Sequence, residues 1–223
     1  RSFFQPTSHR SDIIGGVVAG IGLWVSIEFL LPLGTLFATL AILWLTGMPK
    51  IARKGLYFSV GLTASTTIAL VAEHPPSDLF LPEYDRISAP HFVLVTLAVF
   101  FWGAIRTLEV RYGLGKSIPA RILLILCGIA GVSGILGMTY PGIFLNPLSN
   151  VDPEFWQLYG QYFEEIQPLL PRTLSEVGRM LFYLGPAVIA LPYGLWKSSL
   201  QHDPASRAAW LTISTGLLVF VLL

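Results

Sequence analysis

The chain has 223 residues, of which 53% are hydrophobic and 12% charged, with a mean hydropathy of +0.66. A soluble domain carries roughly 25% charged residues, so a water-facing globular protein is excluded and the bilayer is the expected solvent. The net charge of +1, from 14 basic and 13 acidic residues, gives no basic stripe for a nucleic acid.

A helix that crosses the hydrocarbon core takes about 20 largely apolar residues. Seven runs of this kind, separated by charge, Pro and Gly, predict an all-α polytopic membrane helix bundle that makes one transmembrane domain of residues 1–223. They cover residues 13–29, 33–48, 56–72, 91–107, 121–138, 176–196 and 208 to the end. Gly16 and Gly20 in the first run, and Gly131, Ser133 and Gly134 in the fifth, are small residues placed to let helix backbones approach. Cys127, the single cysteine, sits in the fifth run as a small packing residue. Pro186 and Pro192 each remove a backbone donor from the sixth run and predict a bend there. Beginning at Arg1 and ending in the apolar run from Leu217 to Leu223, the chain reads as an internal piece of a longer protein.

The charges sort by loop. Lys50, Arg53 and Lys54 lie between the second and third runs, Arg111, Lys116 and Arg121 between the fourth and fifth, and Lys197 and Arg207 between the sixth and seventh. With Arg1, Arg10 and Arg106, 11 of the 14 basic residues fall on one side of the bundle, and 10 of the 13 acids on the other. The positive-inside rule then puts the N-terminus in the cytoplasm and the acidic loops outside, on the periplasmic or extracellular face of a plasma (inner) membrane. Trp196 is placed as an aromatic anchor at the inner boundary.

Two outer connections, residues 73–90 and 140–175, are longer than a turn requires. In the second, Trp156, Tyr159 and Phe163 recur at i, i+3 and i+7, which predicts a short amphipathic helix over residues 153–166 lying in the outer interface. Glu164 and Glu165 follow as adjacent carboxylates: hard oxygen ligands for a divalent cation such as Mg²⁺ or Mn²⁺, or simply solvated charges. Asp85 and Arg86 in the first connection read as a local ion pair, a helix cap or a site for a phosphate and its metal. Arg86, Arg172 and Arg179 are the three basic residues of the acidic side, which makes them candidates for a lipid phosphate. Snorkelling or pairing with nearby carboxylates accounts for them as well. Glu28, near the outer end of the first run, either faces a wet cavity or marks the end of a short helix. His74 and His91 lack a zinc-ligand spacing, and the chain has no Walker loop, dinucleotide fingerprint or nucleophile elbow.

The stretch TYPGIFLNPLSNVD, then FEEIQP, then Ser175, Glu176 and Val177 leading into a long apolar helix, carries a family likeness. In these residues the chain resembles the GT-C glycosyltransferases, and among them the oligosaccharyltransferase catalytic-subunit family and its bacterial relatives. That family has a Glu in a Ser-Glu-His-Gln-Pro type of motif in a large external loop, where it helps bind the acceptor near the metal. Glu165, followed by Ile166, Gln167 and Pro168, matches that Glu, with Glu164 standing for the Ser and Ile166 for the His. VVAGIGLWVSIEFLLP is similar to a recurring helix of these enzymes, which places Glu28 on the lumen-like face. The resemblance implies inverting transfer of a sugar from a polyprenyl-phosphate or polyprenyl-diphosphate donor to an acceptor on the external face. It makes Glu164 and Glu165 catalytic, Glu165 a ligand of the divalent cation, and Glu28, Asp85, Arg86, Arg172 and Arg179 substrate-binding residues. The catalytic Asp of the family is expected upstream of Arg1. Two other readings stand beside it: a transporter or flippase of lipid-linked sugars, with Glu28 and the sixth helix lining a pathway, and a non-catalytic membrane subunit. No hydropathy repeat supports the first of these.

Overall fold

The computed structural model describes residues 9–84, 86–113, 117–144, 174–201 and 204–222. Among them seven α-helices follow one another: α1 His9–Val25, α2 Leu30–Leu45, α3 Ile51–Glu73, α4 Ala89–Tyr112, α5 Ile118–Thr139, α6 Leu174–Leu200 and α7 Pro204–Leu222. No strand occurs among the described residues. Among the described residues four segments, Ile27–Leu45, Ile51–Glu73, Ala89–Tyr112 and Ile118–Thr139, are long and apolar enough to cross a membrane. Helices suit that solvent because every backbone donor in a helix interior is satisfied without water. Large apolar side chains such as Ile14, Ile68, Phe100, Leu123 and Met138 stand exposed on the outside of the bundle, as expected where lipid replaces water.

The helices lie where hydropathy puts them, with different ends. α3 starts at Ile51 and takes in Arg53 and Lys54, and α4 runs past Arg106 and Arg111 to Tyr112. A long cationic side chain in a terminal turn keeps its head in the polar layer, so it need not end the helix. What stops α4 is Gly113, whose backbone turns left-handed at φ 60. α1 ends early for the opposite reason: Ser26 is extended (φ −151, ψ 129) and a 3₁₀ turn, Ile27–Phe29, leads into α2. Pro186 and Pro192 lie within α6, which continues through both.

Close packing of α1 on α3 organises the first half of the chain. A Cβ on Gly16 would overlap the Phe58 carbonyl, one on Gly61 the Ile13 carbonyl, and one on Gly20 the Ser65 hydroxyl. The expected close approach at Gly16 and Gly20 is therefore present, and the matching contacts show the two helices running parallel. The expected role of Gly131 and Gly134 is not met: both face open space among the described residues, and Gly128 takes the ring of Phe101 instead. α4 packs antiparallel on α3, with the Thr63 hydroxyl donating to the Val95 carbonyl at 3.1 Å and the Trp102 indole seated on Gly55. α7 returns along α6, where Gly194 meets Ser214, and reaches α2, where Gly216 meets Thr35. Two apolar cores result, one around Leu23, Phe58, Leu62 and Val95 and one around Leu43, Trp44, Trp102 and Ile105.

Candidate functional site

Because these helices alternate in direction, the charges divide between the two ends of the bundle. His9, Arg10, Lys50, Arg53, Lys54, Arg106, Arg111, Arg121, Lys197 and Arg207 sit at or near helix ends on the basic side, and Glu28, Glu73, Asp78 and Glu83 mark the other. Two acids break the pattern among the described residues and both are engaged. Asp12 of α1 is buried, with Lys54 and Arg53 of α3 supplying the opposite charge. Glu109 of α4 accepts a hydrogen bond from the Trp44 indole.

At the acidic end the first connection is held by its own side chains. The buried His74, just past the end of α3, donates from Nε2 to the Ile87 carbonyl at 2.8 Å. Ser88 precedes α4 but makes no side-chain cap to it. Its hydroxyl donates instead to the Glu83 carbonyl and accepts from the Glu83 amide at 3.3 Å. With that proton committed, the contact of 3.2 Å to the buried His91 has Nδ1 as donor. Arg86 grips the Glu83 carboxylate through both Nε and Nη2. This two-point hydrogen bond holds Glu83 below the usual carboxylate range, although solvent reaches both partners. Trp24 donates to Glu73 at 2.6 Å, and the ring of Tyr84 lies against Gly142 in the 3₁₀ turn Pro141–Phe144.

Of the residues expected to form a site, the structure places some and not others. Glu28 is exposed in the turn between α1 and α2, where the helix ends. Arg86 pairs with Glu83, three positions back, and its neighbour Asp85, the partner expected from the sequence, lies outside the described residues. The glutamate was missed because adjacency drew attention to Asp85; the spacing Glu-x-x-Arg was the readable signal. Arg179 lies in the second turn of α6, where the backbone alone is described. Glu164, Glu165, Arg172 and the expected interfacial helix over residues 153–166 lie outside the described residues. Among the described residues no three His, Cys, Asp or Glu side chains converge on a point. Glu73 and Glu83 are each turned to a different partner, so they do not form a cation-binding set together.

Hydropathy did not reveal a cavity of about 550 Å³ between α2, α4 and α5. Leu30, Leu94 and Ile143 line it toward the acidic end, and Ala41, Trp102 and Ile125 line it toward the middle of the bundle. Apart from the Ser133 hydroxyl and the Trp102 indole, its walls are apolar. From Leu30 to Ala41 it follows α2 for about 16 Å at 1.5 Å per residue, roughly half of a 30 Å hydrocarbon core. A slot of that length and polarity fits a hydrocarbon chain entering from one leaflet. Gly34 widens it by carrying no side chain, while Gly128 lets the Phe101 ring pack against α5 at its wall.

In comparisons with known proteins, the chain matches no family model, no curated sequence and no solved structure.

Proposed function

We propose that this chain is the membrane part of a glycosyltransferase of the GT-C type, which moves a sugar from a polyprenyl-phosphate or polyprenyl-diphosphate donor to an acceptor on the external face. In this reading about seven helices span a plasma (inner) membrane, with the basic end in the cytoplasm and the connections over residues 73–90 and 140–175 outside. The observation that carries it is the apolar cavity between α2, α4 and α5, whose lining extends toward the acidic end and which suits the isoprenoid tail of such a donor. The likeness of FEEIQP to the family motif supports it independently.

Glu165 and Glu164 are the residues assigned to the chemistry, as base toward the acceptor and as carboxylates near the leaving phosphate. Mg²⁺ or Mn²⁺, held by Glu165, would neutralise charge on that phosphate. Arg86, Arg172 and Arg179 are the cations of that face, and Glu28 and Asp85 the further carboxylates there.

Two substitutions in the full-length protein test the reading. Glu165→Gln is expected to lower transfer by about 10²-fold or more with expression unchanged; full turnover would remove Glu165 from the site. Gly34→Phe places a side chain at the cavity wall, where a Cβ has no described atom within 4 Å, and is expected to raise KM for a long-chain donor far more than for a short-chain one. Equal KM values for the two donors would remove the cavity from the donor site.

A further inference from the structure

At the opposite end of the bundle α3 and α4 part to leave a second hollow, of about 340 Å³. Leu56 of α3 forms one wall, and Gly103, Arg106, Thr107, Val110 and Arg111 of α4 form the other. These five positions are i, i+3, i+4, i+7 and i+8, a single stripe along α4. Trp102 and Ile105 lie off that stripe and are buried. Glu109 also lies off it and is bonded to Trp44 of α2, so the carboxylate of this stretch is turned away from the hollow.

The stripe is therefore cationic without compensation. Among the described residues neither Arg106 nor Arg111 has a carboxylate partner. The guanidinium carbon of Arg106 lies 5.6 Å from the centroid of the Tyr57 ring. A cation–π contact of this kind orients the head group without using its N–H donors. Thr107 spends its proton on the Gly103 carbonyl at 2.8 Å, so the two guanidiniums are the donors that face the hollow. Gly103 leaves the floor open, with Leu56 Cδ1 at 3.8 Å from where a Cβ would stand.

Arg106 and Arg111 occupy the last two turns of an apolar helix of 24 residues, the depth at which lipid phosphates lie when such a helix spans a bilayer. Val110, largely exposed between them, and Leu56 across the gap offer apolar area directly below the charges. A soluble phosphate would gain nothing from that area, whereas a phospholipid would. We infer that the hollow between α3 and α4 binds the headgroup phosphate of an anionic phospholipid, with Arg106 and Arg111 donating to its oxygens and Leu56 and Val110 meeting the start of its acyl chains. The site is independent of the donor cavity and of the chemistry proposed there.

The test uses the purified full-length protein in micelles containing phosphatidylglycerol and phosphatidylcholine in equal amounts, with bound lipid counted by native mass spectrometry. Phosphatidylglycerol is expected to be retained preferentially. Arg106→Gln combined with Arg111→Gln is expected to lower its occupancy roughly thirtyfold, the order set by removing two surface cations, while Lys197→Gln leaves it unchanged. Equal retention of both lipids by the wild type, or unchanged occupancy in the double variant, would overturn the proposal. Displacement of the lipid by millimolar inorganic phosphate would overturn it too, because the site would then be one for the free anion. If the Gln pair does not fold, Arg106→Lys with Arg111→Lys decides: a loss of several-fold supports binding by the guanidinium forks, and no loss contradicts it.

Discussion

The indole of Trp44 donates to the carboxylate of Glu109 at 2.6 Å, joining α2 to α4 across 65 positions of sequence. Trp44 is 1% exposed, so its N–H has no water to turn to. Arg121 of α5 lies over the same ring at 5.7 Å and donates to the carbonyls of Trp44 and Leu45 at the end of α2. One tryptophan thus ties three helices together at the basic end. Glu109→Ala is expected to cost about 1–3 kcal/mol, the price of an orphaned buried donor. Glu109→Gln, which keeps an acceptor oxygen, is expected to cost less. Unfolding in mixed micelles measures both, and equal losses would show that the hydrogen bond is not what holds α2 to α4.

The glycines give a contrast within one chain. Gly16→Val places a side chain against the Phe58 carbonyl and is expected to destabilise by about 1–3 kcal/mol or more, since backbone cannot step aside as a side chain can. Gly131→Ala and Gly134→Ala meet no neighbour among the described residues and are expected to be neutral or slightly stabilising through the better helix propensity of Ala. Thermal stability of the three variants in one detergent separates the cases; a costly Gly134→Ala would reveal a neighbour at that position.

Much of the bundle was legible because burial in lipid demands long apolar runs, and charge interrupts them. Helix ends were less so: Arg53 and Lys54 read as a loop but belong to α3, where Lys54 is buried with the carboxylate of Asp12 supplying the opposite charge. Ser26 shows the converse, a polar residue inside an apolar run that nevertheless ends the helix and leaves Glu28 exposed. Which of Gly128, Gly131 and Gly134 meets a neighbour depends on how α5 is rotated, and hydropathy that is apolar all round holds no record of rotation. The long-range pair of Arg106 and Tyr57 was hidden for the same reason. Of the expected site, Arg86 and Glu28 are placed, while Glu164, Glu165, Asp85 and Arg172 lie outside the described residues.

The clasp of Arg86 on Glu83 has a pH signature. Glu83 is held below the ordinary range chiefly by the Arg86 hydrogen bond, so the folded form carries the lower pKa. Its contribution to loop stability is present above the ordinary glutamate value of about 4.3 and is lost as pH falls through the depressed folded value. The contribution is small because both side chains are solvated. A carboxyl-labelled NMR titration is expected to show Glu83 titrating below the ordinary glutamate range, and Arg86→Gln to return it toward that range. An unshifted Glu83 in the wild type would show the clasp to be absent in solution.

Sidedness has a direct readout because Cys127 is the single cysteine. In a Cys127→Ser background, Asp78→Cys is expected to react with an impermeant maleimide on intact cells, and Lys50→Cys only after permeabilisation. The reverse pattern would invert the topology and move the proposed chemistry to the cytosol.

Tyr84 lies against Gly142, where α5 gives way to the second long connection. The segment that carries Tyr84 is fastened at one end by His74 to Ile87 and at the other by Ser88 to Glu83 and His91. The ring so held is a wall for the turn at Pro141–Phe144, and through it the connection between α3 and α4 abuts the C-terminal end of α5.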